Sequence, residues 1–537
     1  MHRKSAVTVT LLMWLLTVVL SPAAVAAPSD DQRVIAQQNK ELDPQANEVD
    51  PATGQSRFTP LPPPAHHGHD RTGTPTSSDL MTTEMTAAAV TDPAQVGSWA
   101  TGTPFSGDQN MVHVVCSPTG KCLFVVGKAN KFSSYVYNPA TGITALVKTP
   151  DDLFCAGHVL LPDGRALVIG GTLGTSPWKG SKTVYAFNFV TESYEKLADM
   201  SVGRWYPSVV TMSDGRQLIT SGYDVTGAKT NVVEIFDPKT NATTRLTPTR
   251  NLPLYPRTFQ TSTPGEIFYA GPTGPGFWNP ATGAFRSVNN AAGNKPTGFG
   301  SCFFGDVRDQ NLMIMGGGWP ATATTNVIDL DSTAPAYRTG PPLSAAKGYV
   351  SCVNLPDGTL FQANGGSDNA IAAASQTTGL LPSLAGPWLA MSPLPAGEHR
   401  LYHSLLYLLD DGTLISMTSN PDGGSAPSTS LLIYSPPYLS KGQRPVITSS
   451  PTEVTYGGTY AIGASAAAGS TVQRITVTAA PSTTHSTDLN QRYVSLPLVN
   501  GSITLPSQST ILPPGWYRIW ALDDAGRPSV AKWIHLS

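Results

Sequence analysis

From about residue 98 to 437 one pattern of apolar and polar positions recurs. A short apolar run reaches a polar turn, and a second apolar run ends in glycines. Leu161-Pro162-Asp163-Gly164 leads into Leu167-Val168-Ile169-Gly170-Gly171, and Ser213-Asp214-Gly215 into Leu218-Ile219-Thr220-Ser221-Gly222. Leu355-Pro356-Asp357-Gly358 leads into Thr359-Leu360-Phe361 and Gly365-Gly366. Weaker copies lie at Pro118-Thr119-Gly120, Pro264-Gly265, Asp309-Gln310 and Asp410-Asp411-Gly412. Each copy predicts a β-hairpin, because Asp-Gly accepts the positive φ of a tight turn and the apolar runs supply two strands. One such sheet cannot bury both faces. Seven copies at spacings of roughly 45 to 55 residues therefore predict kelch-like blades stacked round an axis. The expected fold class is all-β, with a seven-bladed kelch-like β-propeller over residues 98–437. Beyond about residue 440 the repeat stops, and residues 474–478, 493–498 and 516–522 read as strands. Residues 438–537 predict an immunoglobulin-like β-sandwich.

The chain ahead of this region reads differently. His2, Arg3 and Lys4 precede an apolar run at 7–20 and the small residues Ala24-Val25-Ala26, which predicts a cleaved export signal at 1–26. The run is shorter than the roughly 20 residues that span a bilayer, so a retained anchor is disfavoured. Residues 27–97 carry Pro60, Pro62-Pro63-Pro64 and many Ser, Thr and Asp without periodicity, which predicts a disordered linker. His66, His67 and His69 fall in it and read as solvated rather than as a metal site.

Composition narrows the function. Only 13% of residues are charged and the net charge is −2, so there is no basic stripe for nucleic acid and no polybasic arm for a membrane. Five cysteines in an exported chain are an odd number. Cys116 and Cys122 flank a turn and can face each other across a hairpin. Cys302 and Cys352 sit in strand-like contexts and can form a second bridge. Sequence alone does not fix connectivity; with this pairing Cys155 is left without a cysteine partner.

Three polar motifs lie at equivalent distances ahead of their hairpin turns: Phe154-Cys155-Ala156-Gly157, Arg204-Trp205-Tyr206-Pro207 and Arg400-Leu401-Tyr402-His403-Ser404. Equivalent positions in stacked blades converge on the axis. Thr484-His485-Ser486, on a Ser/Thr-rich connection of the last domain, can reach the same place. Adjacent side chains of a regular strand point to opposite faces, so Tyr402 and His403 can share a centre only from a loop, bulge or strand end. Pro207 biases Tyr206 to an extended conformation. A helical zinc pair His399/His403 is opposed by Pro393, Pro395 and Gly397 just upstream.

Together these motifs, with the closing Gly526-Arg527-Pro528-Ser529-Val530-Ala531, resemble galactose oxidase and glyoxal oxidase over nearly all of residues 98–537, and Arg204-Trp205-Tyr206-Pro207 is closer to glyoxal oxidases. The resemblance implies a copper ion held by Tyr206, His403 and His485, with Tyr402 as axial ligand. It also implies a thioether joining Cys155 to Tyr206 as the radical cofactor, with Tyr402 taking the substrate's hydroxyl proton. Imidazole and phenolate in a tetragonal set with one open position suit copper(II). The activity implied is oxidation of an alcohol or aldehyde, with dioxygen reduced to hydrogen peroxide, by a secreted monomer. Galactose-oxidising members carry a tryptophan over the thioether, where this chain has Gly222-Tyr223-Asp224; Trp178 or Trp205 is the expected substitute. A sugar-contacting glutamine is replaced near Ser367. Arg257, in Tyr255-Pro256-Arg257, is the candidate substrate contact, and His158 a candidate supporting residue. These departures favour small aldehydes or simple primary alcohols over galactose. The alternatives are a non-catalytic extracellular propeller that binds glycan or protein, and a glycoside hydrolase, which lacks its paired carboxylates here.

Overall fold

The structure is a computed structural model that describes residues 91–537, apart from residues 104, 106–109, 127–129, 176, 272–273, 289–297, 319 and 422–427. The expected export signal at 1–26, the expected linker as far as residue 90 and His66, His67 and His69 lie outside the described residues. Residues 91–97, expected to be disordered linker, instead carry the helical turn Pro93–Val96 and lead directly into the first strand. Among the described residues strands dominate. The helical pieces are one short turn at Pro93–Val96 and 3-10 turns at Val307–Asp309, Ile371–Ala373 and Pro437–Ser440. No described helix is long and apolar enough to cross a membrane.

Seven antiparallel units of at least four strands follow one another along the chain, each built outward from an inner strand. The inner strands are Met111–Cys116, Gly157–Leu160, Ser208–Thr211, Thr258–Gln260, Gly300–Phe303, Ser351–Asn354 and Leu405–Leu408. Successive inner strands touch, and Leu405–Leu408 touches Met111–Cys116 to complete the round. The step from Thr258–Gln260 to Gly300–Phe303 is carried by an edge-on contact of Phe259 with Phe303 at 5.6 Å. The last unit takes its outermost strand from the start of the fold: Ser98–Thr101 pairs with Ser428–Ser435, Ser98 opposite Ser435.

Residue choice follows depth. Met111–Cys116 and Cys122–Val126 are buried at every position, and both are apolar runs apart from His113. Two strands further out, Ile143–Lys148 has no buried position and mixes exposed with half-buried residues. A strand covered on both faces gains from apolar residues throughout, whereas an outer strand does not. At the hairpin tips the aspartates close Asx turns on their own backbone. Asp163, Asp214 and Asp357 each accept at 3.0 Å from the N–H two residues on, and Asp411 accepts at 2.8 Å. Gly164, Gly215, Gly358 and Gly412 follow them at φ 85°, 85°, 91° and 88°. Cys116 and Cys122 are disulfide-bonded across the first hairpin. A second disulfide, Cys302–Cys352, ties the inner strands of two neighbouring units.

The last domain is built on a five-stranded sheet. Its members, in order, are Glu453–Val454, Lys532–Leu536, Gly515–Asp523, Val472–Ala479 and Tyr493–Pro497. It shares a core with the round of sheets, since Ile475, Ile519 and Leu536 cluster with Val210, Leu218 and Phe259. Arg518 donates to the Leu408 carbonyl at 2.8 Å, and Thr476 to that of Pro356 at 2.8 Å. One piece leaves the domain altogether. Ser482–Thr484 pairs with the inner strand Met111–Cys116, with Thr484 opposite His113. That graft carries the following residue, His485, into the middle of the round.

Candidate metal centre

The centre is built from the turns that lead into the inner strands. Cys155, Tyr206, Tyr349 and His403 each stand two residues before such a strand, at φ 56°, 69°, 58° and 65°, so Tyr206 is left-handed rather than extended as Pro207 led one to expect. Tyr255 stands three before its strand at φ 43°. A left-handed backbone costs a non-glycine residue on the order of 1–3 kcal/mol and persists only where its surroundings impose it. Here it turns successive side chains out of strand alternation and toward the axis. This is how Tyr402 and His403, neighbours in sequence, both reach one place, with rings stacked 3.9 Å apart at 27°.

Buried bases lock these turns. Arg204 is fully buried, pairs with Glu234 at 2.7 Å, and donates to the carbonyls of Ser221 and Val232 at 2.7 and 3.0 Å. Arg400 pairs with Glu398 at 2.9 Å. The Lys347 ammonium donates to Gln362 at 3.0 Å and to the Thr377 carbonyl. Each base lies two residues before a tyrosine, so the locking residue and the site residue form one unit in the sequence.

At the centre the phenol oxygens of Tyr206 and Tyr402 lie 2.5 Å apart. The Cys155 sulfur and a ring nitrogen from each of His403 and His485 lie within 4.8 Å of one another. The two imidazoles meet at right angles with centroids 4.8 Å apart, and His485 is 5.0 Å from the Tyr206 ring. All five residues are buried.

The Thr484 hydroxyl fixes the His485 tautomer. It donates to the Val112 carbonyl at 2.7 Å, so it accepts from His485 Nδ1–H at 2.6 Å and leaves Nε2 with its lone pair. His485 Nε2 and both ring nitrogens of His403 have no hydrogen-bond partner among the described residues. Burial holds the His403 imidazole neutral, its pKa down to about 3. Burial, then the neighbouring imidazoles of His403 and His113, keeps His485 neutral as well. Burial, followed by Cys155 and Tyr402, pushes the Tyr206 phenol well above its ordinary range. Neutral imidazoles whose lone pairs meet no donor, beside two phenol oxygens, make a donor set that suits a borderline divalent cation, and such a cation would draw the phenols toward phenolate.

A family model described as Galactose oxidase-like, Early set domain matches residues 444–536. Galactose oxidase of Gibberella zeae is 26% identical over 448 residues, covering 75% of this chain and 64% of that protein. Aldehyde oxidase GLOX of Vitis pseudoreticulata is 27% identical over 452 residues, covering 73% of this chain and 83% of that protein. A fungal alcohol oxidase solved in complex with copper shares the fold, with a TM-score of 0.71 at 22% identity, covering 82% of this chain and all of that one. The chain is a relative of galactose oxidase and of glyoxal oxidase. It spans about 64% of the length of the galactose oxidase it matches.

The tyrosine of the centre is covered by stacked aromatic rings. Trp205 lies against Tyr206 with ring centroids 4.0 Å apart, tilted 56°. Trp178 then stacks on Trp205 at 4.4 Å and 9°, and Tyr223 flanks Trp205 at 5.9 Å and 14°. Arg257 is buried, and its guanidinium donates to the carbonyls of His485 and Tyr255 at 2.9 and 3.2 Å, which ties it to the backbone of the site. His399 lies outside the cluster, in a non-helical segment. His158 shares a hydrogen bond with Ser482 at 2.9 Å, at the base of the grafted strand.

Three residues of the centre went unread in the sequence. Tyr255 is 4.2 Å from the His485 ring and 4.6 Å from that of Tyr206. Tyr349 is 5.2 Å from Tyr402. His113 stands 6.0 Å from His485 and 4.9 Å from His158. The signal for Tyr349 was present, because Lys347-Gly348-Tyr349 repeats the base-x-tyrosine spacing of Arg204-Trp205-Tyr206. His113 had none, since it sits in an apolar inner-strand run.

Proposed function

We propose that this chain is an exported copper-radical oxidase of small aldehydes or simple primary alcohols, on a seven-bladed kelch-like propeller with an immunoglobulin-like C-terminal domain. The observation that carries the reading is the convergence of the Cys155 sulfur and the ring nitrogens of His403 and His485 within 4.8 Å, at the paired phenols of Tyr206 and Tyr402. Tyr206, Tyr402, His403 and His485 hold the metal, and Cys155 is the thioether partner of Tyr206. Two disulfides support an oxidising compartment.

Copper, held by these residues, would bind the substrate oxygen and accept one of the two electrons, with dioxygen as the final acceptor of both. Tyr402 Oη accepts the hydroxyl proton of the alcohol, or of the hydrate formed when water adds to the aldehyde. Tyr206 Oη, as the oxidised phenol, takes the hydrogen atom from the adjacent carbon. The substrate thereby loses two hydrogens, which leave in the peroxide. The sulfur of Cys155 spreads the unpaired spin of the Tyr206 ring and eases its oxidation. Thr484 and the buried Arg204 hold their neighbours in register, and burial keeps water from the oxidised ring.

A binding propeller without catalysis has no use for a buried cysteine beside a tyrosine, so no observation favours that reading over the oxidase. The test is peroxide release by copper-loaded protein offered glyoxal-type aldehydes, short primary alcohols and galactose. Copper-dependent release with the first two groups is expected. No release with any substrate, from protein that has bound one copper per chain, contradicts the reading.

A further inference from the structure

We infer that Trp205 and Trp178 form a one-electron path from Tyr206 to the protein surface, through which an external one-electron oxidant switches the site on. The inference rests on the oxidase reading, because it concerns how Tyr206 comes to be oxidised when no substrate is turning over.

The geometry is a chain of three touching aromatic rings. Tyr206 and Trp205 are 4.0 Å apart between centroids, and Trp205 and Trp178 are 4.4 Å apart and nearly coplanar in orientation. Such contact allows an electron to pass without any bond forming or breaking. Trp205 is 1% exposed, so a soluble oxidant does not touch it directly. Trp178 is at the outer end, 7% exposed, on a hairpin of Thr172–Thr175 and Trp178–Gly180 that stands outside the seven units. Next to it in sequence Pro177 is exposed, Lys179 half-buried and Lys182 exposed, and lysines there favour small anionic oxidants.

The environment of Trp205 also suits a carrier rather than a trap. Its Nε1–H has no acceptor among the described residues. An oxidised indole there has no base to lose its proton to, so it stays a cation that its neighbour readily refills. The step balances. The oxidant takes one electron from the Trp178 indole, Trp205 refills Trp178, and Tyr206 refills Trp205. The net change is one electron from Tyr206 to the oxidant. No proton moves when Tyr206 is a metal-bound phenolate. The direction is downhill, because a phenolate carrying an ortho sulfur is easier to oxidise than an indole.

The experiment uses the full copper-loaded chain in its one-electron-reduced form, mixed with ferricyanide or hexachloroiridate. Growth of the phenol-radical absorbance is followed by stopped flow, with copper content, copper EPR and the Cys155–Tyr206 cross-linked peptide measured on the same samples. Trp178→Phe keeps an aromatic ring that resists oxidation, and should slow radical formation about tenfold or more with the copper signal unchanged. Trp388→Phe, in another unit, should keep the wild-type rate. A second readout needs no variant: repeated oxidation without substrate should add oxygen to Trp178 of the wild type before other tryptophans. Cross-linked Trp178→Phe protein oxidised at the wild-type rate overturns the path alone, as does a wild-type Trp178 left unmodified while other tryptophans oxidise. Wild-type protein with copper but neither cross-link nor radical overturns the oxidase reading as well.

Discussion

The two ends of each sheet solve the same backbone problem in opposite ways. At six of the seven hairpin tips, where the chain needs only to reverse, the left-handed position is a glycine (Gly120, Gly164, Gly215, Gly265, Gly358 and Gly412), and at the seventh it is Gln310 at φ 48°. At the lead-in turns the same region of φ is occupied by Cys155, Tyr206, Tyr349 and His403. Glycine would relieve the strain there, yet it would bring no side chain to the axis. The difference marks where the fold accepts a local cost in order to place chemistry.

The strongest way to break that comparison is to keep the backbone and remove the chemistry. Tyr206→Phe should fold normally and lose about a thousandfold or more in turnover, about 4 kcal/mol of barrier, measured as peroxide release. Removing a lock should instead act on stability. Glu234→Ala leaves the fully buried Arg204 without its partner and should cost roughly 3–5 kcal/mol by denaturant unfolding, whereas a surface pair such as Arg216–Asp214 should cost little. Thr484→Val takes away the acceptor that fixes the His485 tautomer and should weaken copper binding roughly 10–100-fold in a competition titration. The smallest effect addresses the strain itself. Both Cys155→Ala and Cys155→Gly abolish the sulfur, but the glycine variant should be about 1 kcal/mol more stable in the metal-free protein. Equal stabilities would show that φ 56° at Cys155 carries no cost.

The same contrast explains what the sequence disclosed. The hairpins were legible because Asp-Gly turns and apolar runs are local signals, each repeated along the chain. The positions of Cys155, Tyr206, Tyr402 and His403 were legible as motifs, since each precedes a recognisable turn by a similar distance. Their strained backbone was not, because nothing in a tyrosine or cysteine announces positive φ. The need for Tyr402 and His403 to leave strand geometry was foreseen from alternation, and His403 at φ 65° is how the chain meets it. Tyr255 and His113 reach the centre through the closure of the round and the pairing of His113 with Thr484, contacts far apart in sequence. The aromatic cover was left open between Trp178 and Trp205; stacking uses both, one upon the other.

The central claim is that the lead-in turns hold Cys155 against Tyr206 for covalent joining. Peptide mapping by mass spectrometry of purified protein, treated with copper and oxygen, tests it most directly. The account predicts one peptide containing both Cys155 and Tyr206, lighter by two hydrogens than the separate pair and resistant to reduction. Separate, unmodified Cys155 and Tyr206 peptides from protein that has bound copper would contradict it.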